Sequence, residues 1–365
     1  MKMRLALAVL LGLGLSMSFG IRIGLAQDKK KQPQKTYSTI GKVLRFEKAV
    51  NKIVPKNSKI QKVGEGFVWT EGPCWVKKGK AGFLLFSDIP MNSVMQWRQS
   101  GKVNVFLKPS GYTGKEPRGG KDGKDEPGSN GLVLAPNGDL ILCQHGDRSV
   151  ARLAFKDIDR KTKEGKFQIL AREYKGKRLN SPNDAVFHSN GDLYFTDPPY
   201  GLKKRYDDPA RELDFCGVYR ISKDGELTLL TKEMTRPNGI ALSLDEKTLY
   251  VANSDPKLPI WKAFPVKKDG TLGKGKVLYN ATKEMKAGRK GLPDGMTIDY
   301  KGNLFATGPG GVYVFTPKGK LLGRFQTGER TSNCTFGGKG GNWLYMTTDD
   351  YITRIRLRTK GKGFE

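Results

Sequence analysis

Histidine and cysteine, two residue types that often carry catalysis and metal binding, are scarce in this sequence. Among 365 residues there are only two histidines, His145 and His188, so a mechanism that needs several histidines is excluded. The four cysteines are scattered and include no CxxC pair, so the spacing typical of a thiolate zinc site is missing. Cys74, Cys143 and Cys334 lie in strand-like segments and are predicted to be small buried hydrophobic residues. The sequence leaves open whether any of the four form disulfides.

Long hydrophobic runs are also scarce, and the one that stands out is residues 5–20, directly after the basic residues Lys2 and Arg4. This run is shorter than the roughly 20 residues that a membrane-spanning helix needs. The small residues of Gly24-Leu25-Ala26 fit a cleavage site before Gln27. An uncleaved membrane anchor is the alternative.

This pattern predicts three segments. Residues 1–26 are expected to be a signal peptide that directs export to the periplasm or out of the cell. Residues 27–58 are assigned to a basic tether and N-terminal segment, whose first part has no apolar residues and is expected to be disordered. Residues 59–365 are left for the main domain.

Acidic residues are far outnumbered by basic ones, 36 against 65, which gives a formal net charge of +29. Such a charge could indicate a nucleic acid or an anionic surface as partner. The lysines, however, fall mostly in turns, such as Lys77-Lys78 and Lys267-Lys268, and not along one helix. We therefore expect a solvated basic surface, no specific nucleic-acid partner and no membrane contact after signal cleavage. The oligomeric state is left open.

What the sequence does contain is a repeat. An oxygen-bearing side chain on a predicted turn, followed by a short apolar strand pattern, recurs at intervals of 59, 53, 55, 56 and 39 residues, at Glu71, Asn130, Asn183, Asn238, Asp294 and Asn333. A period of about 40–55 residues built from short strands is typical of a β-propeller. We predict an all-β fold, a six-bladed β-propeller with four-stranded antiparallel blades around a central metal-binding channel. The last unit lacks a fourth strand, which residues 59–66 could supply and so close the ring.

Four of the recurring side chains form a candidate metal site: Glu71, Asn183, Asn238 and Asp294. All four are hard oxygen donors, which suits Ca²⁺, Mg²⁺ or Mn²⁺ better than zinc or copper. The alternative is that these residues are ordinary turn formers. Asn130 and Asn333 are weaker candidates that could line the pocket. The long loop at residues 109–129 precedes Asn130 and is either a rim or lid of the pocket or a flexible insertion.

Several of these motifs resemble the signature segments of the gluconolactonase / senescence marker protein (regucalcin) family: Thr70-Glu71-Gly72-Pro73-Cys74-Trp75, Ser181-Pro182-Asn183-Asp184, Arg236-Pro237-Asn238-Gly239 and Pro293-Asp294-Gly295. Thr196-Asp197-Pro198-Pro199-Tyr200-Gly201 resembles the bacterial gluconolactonase-like branch. The similarity covers residues 63–357. It implies a six-bladed propeller with a divalent metal in its channel, held by Glu71, Asn238 and Asp294, with Asn183 as ligand or substrate contact. One departure is Ser181, where the regucalcin branch has an arginine, so recognition of sugar hydroxyls is expected to differ.

The activity that this resemblance implies is hydrolysis of a sugar lactone, a carboxylic ester bond. We expect the metal to polarise the lactone carbonyl and Asp294 to act on the attacking water. The metal is expected to be Ca²⁺, with Mg²⁺, Mn²⁺ or Zn²⁺ as alternatives. Asn130, Asn183, His145 and Tyr200 are the candidate contacts to a small-molecule lactone. Two other functions remain open: a propeller that binds partners without catalysis, and a metal-dependent esterase or phosphotriesterase on the same site.

Overall fold

The computed structural model describes residues 36–79 and 81–364. The predicted signal peptide and residues 27–35 of the predicted tether lie outside the described residues. From residue 37 onward, the chain forms six antiparallel sheets built around four strands each, with strands that follow one another in the chain lying side by side. This is the predicted six-bladed β-propeller.

The blades follow one another along the chain, and in each the first strand lies innermost. Blade one contains Thr70–Lys78, Ala81–Asp88, Ser93–Arg98 and Val103–Leu107. Blade two contains Ser129–Leu134, Leu140–Gln144, Ser149–Leu153 and Gln168–Ala171. Blade three contains Ala185–Phe187, Leu193–Asp197, Gly217–Ile221 and Leu227–Thr231.

The second half of the ring repeats this arrangement. Blade four contains Pro237–Leu242, Thr248–Asp255, Leu258–Pro265 and Lys276–Asn280. Blade five contains Met296–Ile298, Leu304–Gly308, Gly311–Phe315 and Leu321–Gln326. Blade six contains Thr331–Gly337, Trp343–Thr348, Tyr351–Arg356 and Ile60–Glu65.

A few short elements lie between the strands. They are the ribbon Glu173–Tyr174 and Lys177–Arg178, the α-helix Thr282–Lys286 and the 3-10 helices Lys48–Lys52, Phe155–Asp157 and Arg205–Asp207. No helix among the described residues is long and apolar enough to cross a membrane.

The ring is closed by pairing the two ends of the chain, as the sequence predicts. Ile60–Glu65 pairs antiparallel with Tyr351–Arg356 and so completes the sixth blade. Thr39–Ile40 then adds to the same sheet, and Lys42–Arg45 adds to the outer edge of blade five. Part of the segment assigned to the tether and N-terminal segment therefore lies in the propeller. These two strands have only two and four residues, which is too short for a recognisable strand pattern.

The hydrophobic core is divided among the interfaces between blades. The described residues contain six apolar clusters, and each joins two neighbouring blades around the ring. Large aromatic side chains fill these interfaces; between blades six and one, for example, the rings of Trp75 and Tyr345 stack 5.3 Å apart. Burial of apolar surface on both faces of each sheet holds the blades in a fixed orientation. It thereby fixes what the first strands present to the channel.

Four of the recurring motifs predicted as turns are irregularities within strands. The register of the first strand shifts near Glu71, Asn130, Asn238 and Asn333, whereas Asn183 and Asp294 directly precede their first strands. An irregularity of this kind, a β-bulge, redirects the side chains beside it. Glycine and asparagine are common to turns and bulges, so the sequence does not distinguish the two.

Candidate functional site around the central channel

The innermost strands of neighbouring blades contact one another around a closed ring. Four of the six recurring residues lie in these strands, and Asn183 and Asp294 lie two residues before theirs. The glycine after such a residue allows the blades to approach closely. At Gly72, whose φ is 49°, an added Cβ would lie 2.0 Å from the carbonyl oxygen of Asn130. At Gly295 it would lie 1.9 Å from the side chain of Asn333. Any larger residue would push the next blade, and its polar side chain, away from the channel.

Hydroxyl groups on or beside the inner strands fix the backbone of the ring. Each donates a hydrogen bond to a carbonyl oxygen on the first strand of the next blade: Ser87 to Asn130 (2.8 Å), Thr196 to Asn238 (2.6 Å), Thr307 to Ser332 (2.8 Å) and Ser332 to Thr70 (2.7 Å). We call these four side chains the hydroxyl belt. The belt satisfies buried carbonyl groups and sets the position of the motif residues beside them.

Three of the recurring side chains present a buried oxygen atom with no hydrogen-bond partner: Asn130 Oδ1, Asn183 Oδ1 and Asp294 Oδ1. An unpartnered buried acceptor costs about 1–3 kcal/mol, so such atoms call for a ligand, an ion or water. All three atoms belong to motif residues in or next to the innermost strands. This is the observation that separates the site from ordinary turn residues.

The carboxylates of the site repel one another. Glu71 is only 2% exposed, and burial, with the nearby Asp184 and Glu126 charges, raises the pKa of its carboxyl to about 8. Burial and the Glu71 charge raise the pKa of Asp294 well above its usual range. Burial raises the pKa of Asp184 to about 7. Uncompensated negative charge at one place is what a divalent cation neutralises.

The two predicted carboxamide ligands are held by their NH₂ groups. Asn238 Nδ2 donates to Ser254 Oγ at 2.9 Å. Asn183 Nδ2 lies 3.5 Å from His145 Nε2, and burial lowers the pKa of His145 to about 3, so its ring is neutral and can accept this hydrogen bond. In both residues the carbonyl oxygen is therefore the atom left for the channel.

The two candidate rim residues, His145 and Tyr200, differ in exposure. His145 is fully buried and contacts the candidate ligand Asn183, so it does not lie at an open rim. Tyr200 is partly exposed, and its phenol is close to Asp294 and Ser254; burial, followed by the Asp294 charge, raises the pKa of Tyr200. Asn333 points toward Asp184, with Nδ2 3.5 Å from Asp184 Oδ2.

Two acidic residues near the site were not assigned a role from the sequence. Asp184 follows Asn183 at a position where Glu71, Asn130, Asn238 and Asp294 are each followed by glycine, and this break in the pattern could have identified it. Glu126 lies in the long loop, which has no periodic pattern, so the sequence gives no such signal. Its charge reaches both Glu71 and Asp294.

The donor set fits a hard divalent cation. Within residues 36–79 and 81–364, no group of three or more His, Cys, Asp or Glu side chains is placed to hold a metal ion. The candidate set contains only two such residues, Glu71 and Asp294, and its other two members are carboxamides. Carboxylate and carboxamide oxygens are typical ligands of Ca²⁺. The unpartnered oxygens of Asn183 and Asp294 are the atoms that fit this role.

The loop that precedes Asn130 is anchored over the site. Asn92 Oδ1 accepts hydrogen bonds from three consecutive backbone N–H groups, those of Ser110, Gly111 and Tyr112. Arg118 pairs with Asp125 at 2.6 Å and donates to the carbonyl of Gly201 at 2.7 Å. The loop is therefore tied to both blade one and blade three, which favours a rim over a flexible insertion.

Comparison with known proteins identifies the family. The sequence model of the family described as SMP-30/Gluconolactonase/LRE-like region matches residues 69–350 of this chain. The chain is 41% identical to a gluconolactonase from Zymomonas mobilis over 89% of this chain and 88% of that protein. It is 28% identical to regucalcin from Xenopus laevis over 80% of this chain and 84% of that protein.

A solved structure gives the same result. A gluconolactonase from Xanthomonas campestris superposes with a TM-score of 0.72 at 28% identity and covers 90% of this chain and 99% of that one. The matched region includes every motif residue of the inner ring from Glu71 to Asn333. The chain therefore belongs to the SMP-30/gluconolactonase family of β-propellers.

Proposed function

We propose that this chain hydrolyses sugar lactones with the help of a divalent cation, Ca²⁺ in the first instance, held by Glu71, Asn183, Asn238 and Asp294. At the level of a lactone-hydrolysing enzyme, a carboxylic ester hydrolase, the prediction is confirmed by gluconolactonase and lactonohydrolase relatives. The cation, its identity and the catalytic residues are our proposal. It is supported above all by the unpartnered buried oxygens of Asn183 and Asp294, two of the four proposed ligands.

The chemistry that a divalent cation supplies in such a site is polarisation of a carbonyl and stabilisation of negative charge that develops on its oxygen. Asp294 is the residue that we assign to the proton. Its Oδ1 is buried and has no partner, and it lies on the inner ring beside Tyr200. His145 is a poorer base, because burial lowers the pKa of its ring to about 3, and its Nε2 lies 3.5 Å from Asn183 Nδ2.

In the proposed reaction, water attacks the carbonyl carbon of the lactone, and one of its protons passes to Asp294 Oδ1. The ring C–O bond breaks, and the ring oxygen takes up that proton. The product is the open hydroxy acid, and Asp294 is again a carboxylate. Asn130 Oδ1 and the Tyr200 phenol are proposed to hold hydroxyl groups of the substrate.

The two alternatives fit the site less well. A propeller that only binds partners would leave two buried carboxylates and three buried oxygens without a function, at a cost in stability. An esterase or phosphotriesterase would use the same cation but no contacts to ring hydroxyls. We further propose, from residues 1–26, that the protein acts after export.

The test is hydrolysis of glucono-1,5-lactone by the purified mature protein. The reaction is monitored by the release of protons from the acid product. The protein is first treated with a chelator and then supplied with Ca²⁺, Mg²⁺, Mn²⁺ or Zn²⁺ in turn. We expect activity to disappear with the chelator and to return with Ca²⁺. Activity that the chelator leaves unchanged would contradict the role of the cation, and hydrolysis of simple esters without hydrolysis of this lactone would favour the esterase.

A further inference from the structure

We propose that Glu126 and Arg205 form a hydroxyl-recognition pair that makes the site selective for polyhydroxylated, sugar-derived lactones. This inference rests on the proposed function and names two specificity-determining residues. They come from different loops: Glu126 from the long loop before blade two, and Arg205 from residues 198–216, which join the second and third strands of blade three. Glu126 Oε1 accepts a hydrogen bond from Arg205 Nη2 at 3.2 Å.

Glu126 lies at the site, four residues before Asn130. The segment between them is fixed, because the carbonyls of Pro127 and Gly128 accept hydrogen bonds from Gly146 and His145. The Glu126 side chain is 18% exposed. Its negative charge lies near enough to Glu71 and Asp294 to raise the pKa of both carboxyl groups. Its carboxylate is thus close to the reacting centre while keeping some accessible surface.

Arg205 reaches the same region from the other side. Its guanidinium lies 5.9 Å from the centre of the Tyr200 ring, and the Tyr200 phenol is close to Asp294. About half of the Arg205 side chain is exposed, so N–H groups remain for a ligand after the contact with Glu126. The backbone of Arg205 has a φ of 50°, a region that few residues other than glycine adopt, so its geometry is imposed by the surrounding fold.

The two loops are joined to each other by contacts other than this pair. Arg118, from the same loop as Glu126, donates to the carbonyl of Gly201 at 2.7 Å. Gly201 packs against His145, where an added Cβ would lie only 2.4 Å from the His145 Cβ. The positions of Glu126 and Arg205 therefore do not depend on their mutual contact alone.

The position that carries an arginine in the regucalcin branch cannot contact a substrate here. Ser181 is fully buried; its hydroxyl donates to the carbonyl of Pro198 at 2.6 Å and accepts a hydrogen bond from Gly201 at 2.8 Å. The hydroxyl therefore uses its hydrogen atom as a donor and its oxygen as an acceptor within the protein. Contacts to sugar hydroxyls must then come from other residues, and a partly exposed carboxylate–guanidinium pair offers both acceptors and donors for neighbouring hydroxyl groups.

The experiment compares two lactones with the same six-membered ring. Glucono-1,5-lactone carries the ring hydroxyls, and δ-valerolactone lacks them. The variants are Glu126→Ala and Arg205→Gln, and the matched control is Glu116→Ala, an exposed glutamate of the same loop. Steady-state kinetics with both lactones are measured on the protein loaded with Ca²⁺, together with bound calcium and melting temperature.

We expect each test variant to raise KM for glucono-1,5-lactone by roughly tenfold to a hundredfold, because a hydrogen bond to a charged group is lost. The kcat should stay within about threefold, which is the pattern of lost ground-state binding. Kinetics with δ-valerolactone, bound calcium and the Glu116→Ala control should match the wild type. If the wild type does not hydrolyse δ-valerolactone, the test is whether the variants raise KM for glucono-1,5-lactone while kcat stays within about threefold.

Three results would overturn the inference: unchanged kinetics with glucono-1,5-lactone, an equal loss on both lactones, or loss of bound calcium. The second would indicate a catalytic or structural role, and the third a role in the metal site. A wild-type protein that hydrolyses neither lactone contradicts the proposed function itself, so the two failures are distinguishable.

Discussion

At the scale of single residues, the account depends most on Asp294, whose Oδ1 is buried, unpartnered and assigned to proton transfer. Asp294→Asn keeps the size of the side chain and an oxygen atom, but removes its capacity to accept a proton. We expect kcat for glucono-1,5-lactone to fall by about 10²- to 10⁴-fold. The melting temperature of the metal-free protein should not fall, because a buried charge that repels Glu71 is removed.

The matched control for this variant is Asp224→Asn, at an aspartate whose side chain is 75% exposed. It should retain wild-type kinetics. Turnover by Asp294→Asn at the wild-type rate would show that another group handles the proton.

Asp197 gives a pH dependence that can be measured away from the candidate ligands. It is fully buried, its Oδ2 accepts the Asn180 N–H at 2.8 Å, and burial raises its pKa to about 7. Because the unfolded pKa is about 3.9, the folded state binds the extra proton between these values. The contribution of Asp197 to stability is therefore lost as the pH rises from about 4 to about 7.

The variant Asp197→Asn, which cannot ionise, should gain melting temperature relative to the wild type as the pH is raised from 5 to 8. Groups elsewhere titrate equally in both proteins, so their effects cancel in the difference. A difference in melting temperature that stays constant over this range would show that Asp197 does not titrate there.

Residue types and spacing predicted the candidate ligands but not their supporting contacts. Glu71, Asn183, Asn238 and Asp294 recur at regular intervals, and the structure places all four on the inner ring. The partners Ser254 and His145, which hold the two carboxamides, follow no such repeat. Pairings of this kind depend on how the strands and blades pack against one another, which a single sequence does not encode in any local pattern.

At the scale of structural elements, the hydroxyl belt joins neighbouring blades at four of the six interfaces of the ring. Thr196 shows its function most directly, because its hydroxyl donates to the carbonyl of Asn238 at 2.6 Å and accepts from the N–H of Asp184 at 3.2 Å. Thr196→Val has nearly the same shape but leaves both buried groups unsatisfied. The expected cost is about 1–3 kcal/mol of unfolding free energy, measured by denaturant titration.

We also expect this variant to lose affinity for Ca²⁺, because Asn238 is itself a candidate ligand. Thr228→Val, on the partly exposed outer strand of the same blade, serves as the control. Equal stability of the two variants would contradict the proposed function of the belt.

The elements also show where prediction from sequence stops. The six units and the closing strand at residues 59–66 were predicted because strand patterns recur and the last unit is one strand short. The sequence predicts turns near Glu71 and Asn238, where the structure has bulges within strands. In both cases the signal is a glycine beside a polar residue, and only the packing of the next blade, as at Gly72, shows that the glycine permits close approach.

At the scale of the whole molecule, the propeller keeps all four cysteines as buried free thiols. Burial raises the pKa of Cys74 to about 12 and that of Cys216 to about 11, and the thiolate is the reactive form. The folded protein should therefore react very slowly with a thiol reagent, whereas the unfolded protein should titrate four thiols without prior reduction.

A cysteine introduced at the exposed position Val105 is the control, and it should react rapidly in the folded state. Fewer than four thiols in the unfolded, unreduced protein would show that disulfides form.

The central claim is that the inner ring holds a divalent cation, and the most direct measurement is calorimetric titration of Ca²⁺ into chelator-treated protein. The wild type should bind one Ca²⁺ ion at this site and rise in melting temperature as it does so. Glu71→Gln should lose that binding, while Glu164→Gln, at an exposed glutamate, should retain it. Equal binding by Glu71→Gln and the wild type, or no binding by either, would contradict the account.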